Sequence, residues 1–421
     1  GFFYRIFLSH AIGAEGLGLY QLILPLQGLM AALSYTGIQS ALSRLIASRL
    51  ALQEKKEAYF SLVTGIFAAV FFSAVTGFLL FRHADFFAST ILKAPGTSDL
   101  LRLTAASIPL CAIHSCIDSY YYARKKASVP AAVQLSEQAV RIGATYILYL
   151  IFLSEGRPVT AMIAAGGSLA GEAAASLISL LMVSFHFGNH PVKEKTSVKI
   201  FPLIKDLFTL SFPISLNRIL LTLLGSIEAV LIPQMLIRCG MTSSEALKIY
   251  GIFTGMALPL LLFPSTLTTS AAVMLMPSVA RMDALGDQKQ IRHVTDQTFF
   301  LCMFLGFLCG SGFFLFGPFL GTLLFHSKTA GTYIRYLSFI CPFLYTNTML
   351  ASILQGLGRP GRCLIHSAAG ILIRIFSVVF MIPAIGIRGY FYGIFLGELL
   401  LSLLHVKALK FPYRQAGDNR L

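Results

Sequence analysis

The sequence predicts an all-α membrane protein with about twelve transmembrane helices, and three observations support this fold class. Of the 421 residues, 56% are hydrophobic and only 12% are charged, whereas soluble domains carry about 25% charged residues. The apolar residues form runs of about 20 or more, which is the length that a helix needs to cross the hydrocarbon core of a bilayer. The alternating pattern of barrel strands is absent, so helices are favoured over a β-barrel.

A polar stretch, GNHPVKEKTSVK, divides the apolar segments into two sets of six. The first segment, 1–9, is too short to span and is interpreted as the end of a helix whose start is missing. The other segments are 18–48, 57–81, 100–123, 128–153, 159–186, 201–236, 245–280, 292–318, 333–356, 362–384 and 388–409. This layout predicts an N-terminal six-helix lobe at 1–190, a cytoplasmic linker at 191–200 and a C-terminal six-helix lobe at 201–421.

The lysines and arginines predict the orientation of the chain in the membrane. Of these 33 residues, 19 follow the even-numbered segments or lie in the C-terminal tail, and 9 lie on the opposite side. Because cytoplasmic loops are enriched in basic residues, the linker and the C-terminus are predicted to be cytoplasmic. The net charge of +15 is therefore explained by topology and by binding of anionic lipid, and nucleic acid is not a predicted partner.

The two halves of the chain repeat each other. Pro109 and Arg141 are separated by 32 positions, and Pro342 and Arg374 have the same separation. One offset of 233 positions aligns both pairs. Because each half has six segments, the repeats have the same orientation and predict two bundles related by a pseudo-two-fold axis along the membrane normal. The cleft between two such bundles is the expected substrate site.

Five arginines, in contrast to the other basic residues, lie in or near apolar segments: Arg5, Arg44, Arg141, Arg218 and Arg374. A charge at the bilayer centre costs about 2.5–3.5 kcal/mol on insertion scales, so such a residue faces a partner or a water-filled cavity. A cationic cavity predicts an anionic substrate. The planar guanidinium suits a diphosphate because it binds two oxygens at once.

Some of these arginines have a second interpretation as structural ion pairs. Arg141 follows Glu137 by one turn, which predicts a structural pair on one helix. Arg374 is a candidate cavity residue, although Glu398 on the next helix is an alternative partner. Arg5, Arg44 and Arg218 have no acidic residue three or four positions away. These three are predicted cavity residues, with pairing to a distant acid or snorkelling to the interface as the alternative.

Four acidic residues in apolar segments, Glu228, Asp118, Glu172 and Glu398, are candidates for coupling transport to a proton or a sodium ion, and Glu228 and Asp118 are the leading two. Each has an alternative role as the counter-charge of an arginine. Glu228 shares its predicted helix with Arg218. The two residues are ten positions apart, which is about 15 Å along a helix, so they cannot pair directly.

No pattern in the sequence predicts a catalytic, metal or cofactor site. The nine histidines lack metal-ligand spacing, no CxxC occurs, and the glycine-rich pieces GAEGLGLY and GLGRPGR follow no predicted strand. They are interpreted as turns between helices. A membrane-embedded glycosyltransferase is disfavoured because the polar loops are too short to form a domain. The chain is therefore predicted not to be an enzyme.

Three segments resemble the polysaccharide flippases of the multidrug/oligosaccharidyl-lipid/polysaccharide exporter superfamily, above all the group of stage V sporulation protein B. They are YRIFLSHAIGAEGLGLYQLI at 4–23, GIQSALSRLIA at 37–47 and LQGLGRPG at 354–361. The resemblance extends over nearly the whole chain and includes the six-plus-six layout. One departure is that many relatives carry two further C-terminal spans.

The resemblance implies a MATE-like fold with two lobes and a flippase of the bacterial cytoplasmic membrane. The implied substrate is an undecaprenyl-diphosphate-linked sugar or a peptidoglycan precursor, moved to the outer leaflet by alternating access for cell-wall synthesis or sporulation. Lipid II flippases of this superfamily use arginines in a central cavity. By motif position Arg5 and Arg44 match such residues, and Arg218 is a looser match. The alternative is a cation-coupled multidrug exporter of the same superfamily, which needs an acidic cavity.

Overall fold

The computed structural model describes residues 2–189 and 200–410, and these residues form helices and short connections without a strand. The helices before the linker are α1 (Phe2–Ala11), α2 (Gly13–Ser34), α3 (Thr36–Ala51), α4 (Lys55–Arg82), α5 (Ala84–Phe86), α6 (Ser98–Ala123), α7 (Ser128–Ser154) and α8 (Met162–Asn189). The predicted linker lies, except for its last residue, outside the described ranges. The all-α fold class is confirmed.

The second half begins with the longest helix of the described chain. Its helices are α9 (Ile200–Arg238), α10 (Ser243–Gly251), α11 (Leu258–Leu262), α12 (Ser265–Ala284), α13 (Gln288–Phe325), α14 (Lys328–Leu337), α15 (Cys341–Gly356), α16 (Pro360–Phe380), α17 (Ile382–Ile385) and α18 (Ile387–Lys410). A π-helical segment, Ile252–Ala257, joins α10 to α11. All twelve predicted segments are helical in the structure, and four of them are interrupted. Segment 333–356 contains the 3-10 turn Ser338–Ile340, and segment 362–384 is interrupted at Met381.

The interruptions of segments 18–48 and 245–280 have different local causes. The predicted segment 18–48 is divided at Tyr35, whose φ of −126° and ψ of −21° leave the helical region between α2 and α3. The predicted segment 245–280 is divided before α12, where Pro264 is the residue before its first turn. A proline lacks the backbone N–H that would continue the preceding helix, so a helix tends to end there. Tyr35 has no such sequence signal.

Within residues 2–189 and 200–410, ten helical segments are long and apolar enough to cross a membrane. Of the twelve predicted spans, the two outside this set are 1–9 and 128–153. The first corresponds to α1, which has only 10 residues. The second corresponds to α7, which is long enough with 27 residues but carries Glu137 and Arg141 in its interior. These two charged residues lower the mean hydropathy of α7.

The chain forms two compact units. Unit 1 comprises residues 10–230 and unit 2 comprises residues 2–9 together with 231–421. In unit 1, helices α3, α4, α6 and α8 enclose a core of small and aliphatic side chains around Leu42, Ala112 and Cys116. The division falls inside α9, after Val230. The sequence-derived lobes at 1–190 and 201–421 remain a prediction.

In unit 2, helix α13 packs against α15 through glycines four positions apart. A Cβ atom added to Gly306 would lie 2.3 Å from the Cα atom of Pro342, and one added to Gly310 would lie 2.8 Å from the carbonyl oxygen of Ser338. Small residues at this spacing allow two helix backbones to approach closely in a membrane. The packing of α13 on α15, and on the 3-10 turn Ser338–Ile340 that precedes it, therefore depends on the absence of side chains at these two positions.

We expect Gly306→Ala to lower the free energy of unfolding by about 1–3 kcal/mol, because the new methyl group collides with the backbone of α15. The matched control is Gly312→Ala on the same helix, where a Cβ atom meets nothing within 4 Å. This control should be neutral, or stabilising by up to about 1 kcal/mol because alanine favours helix. Unfolding in detergent micelles measures both. Equal destabilisation by the two variants would contradict the close packing.

Candidate functional site

Two of the five intramembrane arginines, Arg44 on α3 and Arg218 on α9, are exposed in unit 1. Among the described residues, neither guanidinium forms an ion pair or a hydrogen bond. An unpaired cation in a membrane-spanning bundle is costly unless it faces water or an anion. These two side chains are therefore available to bind an anionic ligand.

Helices α3 and α9 run antiparallel and contact each other at two points. A Cβ atom added to Gly37 would lie 2.9 Å from the Cα atom of Ser215. At the other end of α3, Arg49 Nη2 lies 3.0 Å from Asp206 Oδ2. Since 37 pairs with 215 and 49 with 206, the chain directions of the two helices are opposite.

The helical repeat places the two free arginines near this contact. Arg44 follows Gly37 by seven positions, which is close to two turns, so it lies on the same face of α3. Arg218 lies one turn beyond Ser215 on α9. The rise of about 1.5 Å per residue separates the two Cα atoms by about 15 Å along the helices. Arg44 and Arg218 therefore lie on either side of the Gly37 contact along the two helices.

Arg49 is a structural anchor at the end of α3, in contrast to Arg44. Its Nη1 atom lies 3.1 Å from Glu54 Oε2 and 2.9 Å from Glu57 Oε2, and its Nη2 atom binds Asp206. Burial lowers the pKa of Arg49, but the hydrogen bond with Glu54 and the charges of the acidic residues outweigh it and raise the pKa above its usual value. Arg49 thus ties α3 to α4 and to α9.

Arg5 has a different environment from Arg44, although the sequence resemblance groups them. It belongs to unit 2, and its Nη1 atom donates to the carbonyl oxygen of Thr254 at 3.3 Å. Thr254 lies in the π-helical segment, where the wider turn disturbs the regular hydrogen-bond ladder and leaves carbonyl groups available. The Phe2 ring lies 5.5 Å from that of Phe263. These contacts hold α1 in unit 2, and a substrate role for Arg5 remains a prediction.

A buried network joins α6, α7 and α8 in unit 1. Arg141 Nη2 contacts Glu137 Oε1, as the spacing predicts, and it also lies 3.1 Å from Glu172 Oε1 on α8. The other oxygen of Glu172 lies 2.9 Å from His114 Nε2 on α6. His114 Nδ1 lies 3.7 Å from Asp118 Oδ2. The sequence analysis predicted the Glu137–Arg141 pair and named Asp118, but it missed His114.

Close packing of α7 on α8 positions Glu172 in this network. A Cβ atom added to Gly167 would lie 1.9 Å from Thr145 Oγ1, and one added to Gly171 would lie 3.0 Å from the carbonyl oxygen of Glu137. The two glycines are four positions apart and face α7. Glu172 directly follows the second glycine, so its carboxylate reaches Arg141.

Unit 2 contains a similar network on α15, α16 and α18. Arg374 Nη1 lies 3.4 Å from Glu398 Oε1, which is the alternative pair that the sequence allowed. Asn347 Nδ2 donates to Glu398 Oε2 at 2.8 Å and to the carbonyl oxygen of Glu398 at 3.0 Å. Ser402 Oγ donates to Asn347 Oδ1 at 2.6 Å. Because its guanidinium is paired, Arg374 is a weaker substrate-binding candidate than Arg44.

A sequence signal for both networks is the motif GExxxS, which occurs as GEAAAS at 171–176 and as GELLLS at 397–402. In each case the glycine packs against the neighbouring helix, since a Cβ atom on Gly397 would lie 3.0 Å from the carbonyl oxygen of Gly370. The serine of the first motif, Ser176, donates to the carbonyl oxygen of Leu110 at 2.6 Å. A search for this repeat would have identified Glu172 and Glu398 together.

Glu228, the other leading candidate for ion coupling, is buried in α9 within unit 1. One half-turn earlier, Ser226 Oγ donates to the carbonyl oxygen of Pro25 at 2.8 Å, which joins α9 to α2. Pro25 interrupts the hydrogen bonds of α2 because it lacks an N–H group. The coupling role of Glu228 remains a prediction.

Three side chains of the unit 1 network, Cys111, His114 and Glu172, have potential metal-ligand atoms within 4.8 Å of one another. The donor set suits a metal ion poorly. Both oxygens of Glu172 already accept hydrogen bonds, and the Arg141 guanidinium beside them repels a cation. The arrangement is better suited to holding protons than to holding a metal ion.

The fold and the apolar helices define a multi-pass membrane protein with the two-bundle fold of MOP-superfamily transporters. An inward-facing multidrug resistance MATE family transporter is similar with a TM-score of 0.71 and 16% identity, covering 97% of this chain and 94% of that chain. The lipid II flippase MurJ, in an inward closed conformation, also gives a TM-score of 0.71, with 14% identity and coverage of 97% and 85%.

The chain belongs to the polysaccharide biosynthesis protein family, whose model matches residues 1–283. It is 28% identical over 417 residues to stage V sporulation protein B of Bacillus subtilis (strain 168), covering 96% of this chain and 79% of that protein. These comparisons confirm the resemblance on which the sequence analysis relied. They agree with a flippase of the MOP superfamily.

We expect Arg374→Met to destabilise unit 2 by about 3–5 kcal/mol, because it leaves the charge of buried Glu398 without a cation. The double variant Arg374→Met/Glu398→Gln removes both charges and should recover much of this loss. Unfolding of the two single variants and the double variant in detergent gives the interaction energy. Additive losses in the double variant would contradict a direct pair.

Proposed function

We propose that this protein is a flippase that moves an undecaprenyl-diphosphate-linked sugar or peptidoglycan precursor from the cytoplasmic to the outer leaflet of the bacterial cytoplasmic membrane. The observation that carries the proposal is the pair of exposed, unpaired guanidiniums of Arg44 and Arg218 on contacting helices of unit 1. They provide cationic groups for a lipid-linked diphosphate. Arg218 belongs to a helix long enough to cross the bilayer, and Arg44 lies on α3, which follows the membrane-spanning helix α2.

The chemistry of the substrate matches this pair in two respects. A diphosphate carries several oxygens that accept charge-assisted hydrogen bonds, and each guanidinium can bind two of them at once. The group is also elongated, as a ligand must be to contact two side chains whose Cα atoms are about 15 Å apart. The polyprenyl tail stays in the lipid during transfer, while the sugar crosses with the diphosphate.

The relatives support the same class of substrate. MurJ is a lipid II flippase, and stage V sporulation protein B is a sporulation protein. These relatives support a role of this chain in cell-wall or polysaccharide synthesis, as a transporter and not as an enzyme. The distribution of lysine and arginine further supports a cytoplasmic C-terminus and contact with anionic lipid.

A cation-coupled multidrug exporter is the alternative within the same superfamily. It requires acidic side chains at the substrate site. Arg44 on α3 and Arg218 on α9 are both positive, and a cationic drug would be repelled by them. The geometry therefore favours an anionic substrate.

We expect Arg44→Gln and Arg218→Gln each to weaken substrate binding by about 1.5–3 kcal/mol, the typical value of a hydrogen bond to a charged group. This corresponds to a loss of about tenfold or more in affinity. The matched control is Arg292→Gln, whose side chain is 88% exposed and lies in α13. Translocation of a fluorescent undecaprenyl-diphosphate sugar in proteoliposomes, as a function of its concentration, measures the effect.

Two results would count against the flippase. One is translocation that is unchanged in both arginine variants, because the cationic pair would then have no role. The other is a protein without flipping activity that exports an organic cation against a proton or sodium gradient. That result would establish the exporter instead.

A further inference from the structure

The buried networks of the two units resemble each other, although their glutamates are 226 positions apart. The offset of 233 positions that aligns Arg141 with Arg374 also aligns His114 with Asn347. In unit 1 the arginine and His114, and in unit 2 the arginine and Asn347, contact one glutamate on a third helix. The glutamate is Glu172 in unit 1 and Glu398 in unit 2, and each belongs to a GExxxS motif.

The two copies differ in the number of charges that they enclose. Unit 1 adds the carboxylates of Glu137 and Asp118 to that of Glu172, and Arg141 is the single fixed cation among them. The offset places Gly370 and Ala351 at the corresponding positions of unit 2. Unit 2 therefore has one carboxylate for one guanidinium and is neutral. Unit 1 has three carboxylates for one guanidinium.

The excess negative charge of unit 1 is held in a poorly solvated place. The side chains of His114, Asp118, Glu137, Arg141 and Glu172 are between 10% and 18% exposed. With a neutral imidazole the group has a net charge of −2, which is costly inside a membrane-spanning bundle. Two bound protons, one on the imidazole and one on a carboxylate, neutralise it.

The geometry provides a place for these protons. His114 Nδ1 and Asp118 Oδ1 are buried atoms without a hydrogen-bond partner among the residues that the structure describes. His114 Nδ1 lies 3.7 Å from Asp118 Oδ2, and its Nε2 lies 2.9 Å from Glu172 Oε2. An imidazolium at this position interacts with a carboxylate on each side. Histidine is the side chain whose charge normally changes between pH 5 and 8.

The other titratable groups that face the cluster do not supply a positive charge. They are Tyr35, Cys111, Cys116 and Tyr122. All of them are neutral when protonated. The one fixed cation is Arg141 of the cluster itself, whose guanidinium cannot release a proton. Among the residues that the structure describes, no neighbour therefore cancels the excess of carboxylates, and protons or a mobile cation can neutralise it.

We propose that His114, Asp118 and Glu172 form a proton-binding site whose loading drives transport, and that the Asn347–Glu398–Arg374 network is its non-titrating counterpart. This inference rests on the proposed flippase function and names its coupling ion as the proton. A sodium ion fits less well, because it prefers oxygen ligands and the guanidinium of Arg141 lies beside Glu172. A proton from the water on one side of the membrane binds an imidazole nitrogen or a carboxylate oxygen. It is later released to the water on the other side.

The first experiment measures translocation of the fluorescent lipid in proteoliposomes with an imposed pH gradient. Wild type should flip faster when the side to which the lipid is delivered is more acidic, and slower when the gradient is reversed. His114→Asn gives unit 1 the residue that unit 2 has at the equivalent position. We expect it to reduce the response to the gradient at least tenfold, with residual flipping that no longer depends on pH.

The matched control is His293→Asn, an exposed histidine on α13, which should respond like wild type. Asp118→Asn is a second variant in case His114→Asn does not fold. It removes one carboxylate without changing the size of the side chain and should shift the pH profile. Flipping that is insensitive to the pH gradient in wild type, or an unchanged response in both cluster variants, would overturn the proposal while leaving the flippase function intact.

A second experiment is independent of transport. Solid-state nitrogen NMR of histidine-labelled protein in nanodiscs distinguishes a neutral imidazole from an imidazolium, and His114→Asn assigns the resonance of His114. We expect this resonance to report an imidazolium at the acidic end of the titration and its position to change in Asp118→Asn. A resonance that stays neutral throughout would refute the site. If no variant moves lipid, the proposed function fails, and this titration still decides whether the cluster binds protons.

Discussion

A charged side chain inside a membrane-spanning bundle must have a partner of opposite charge or contact with water, because the hydrocarbon core solvates no ion. This constraint divides the intramembrane arginines of the chain into two kinds. Arg141 and Arg374 are paired with buried glutamates and hold helices together. Arg44 and Arg218 are exposed, and among the described side chains they have no partner. The first kind maintains the bundles, and the second kind is available for a ligand.

The paired arginines depend on small residues as much as on their acids. Glu172 reaches Arg141 because Gly171 brings α8 onto α7, and Glu398 reaches Arg374 because Gly397 brings α18 onto α16. In a membrane, helix association lacks the hydrophobic driving force that operates in water, so close backbone packing and polar contacts carry more of the stability. A glycine followed by a glutamate thus combines the two requirements in adjacent positions, and the chain uses this solution in both units.

The helices were predictable from the sequence because the signal is local: a run of apolar residues specifies a span wherever it packs. Glu137–Arg141 was predictable for the same reason, since one helical turn joins the two residues. His114 was not predictable, because its partner Glu172 is 58 positions away and only the packing of α6 on α8 brings them together. The break at Tyr35 was also missed, because no proline marks it.

The duplicated network shows how two similar bundles can acquire different tasks. Both units keep the arginine, the glutamate and the glycine that fix three helices, so the scaffold is the same. Compared with unit 2, unit 1 has the imidazole of His114 in place of an amide, and it has two further carboxylates. These few differences distinguish a fixed ion pair from a group whose charge can vary. Arg44 and Arg218 cannot serve as groups of variable charge, because a guanidinium remains protonated at any physiological pH. Constant positive charge suits the recognition of a diphosphate, whereas variable charge suits a driving ion, and in the proposed mechanism separate residues of unit 1 carry out the two tasks.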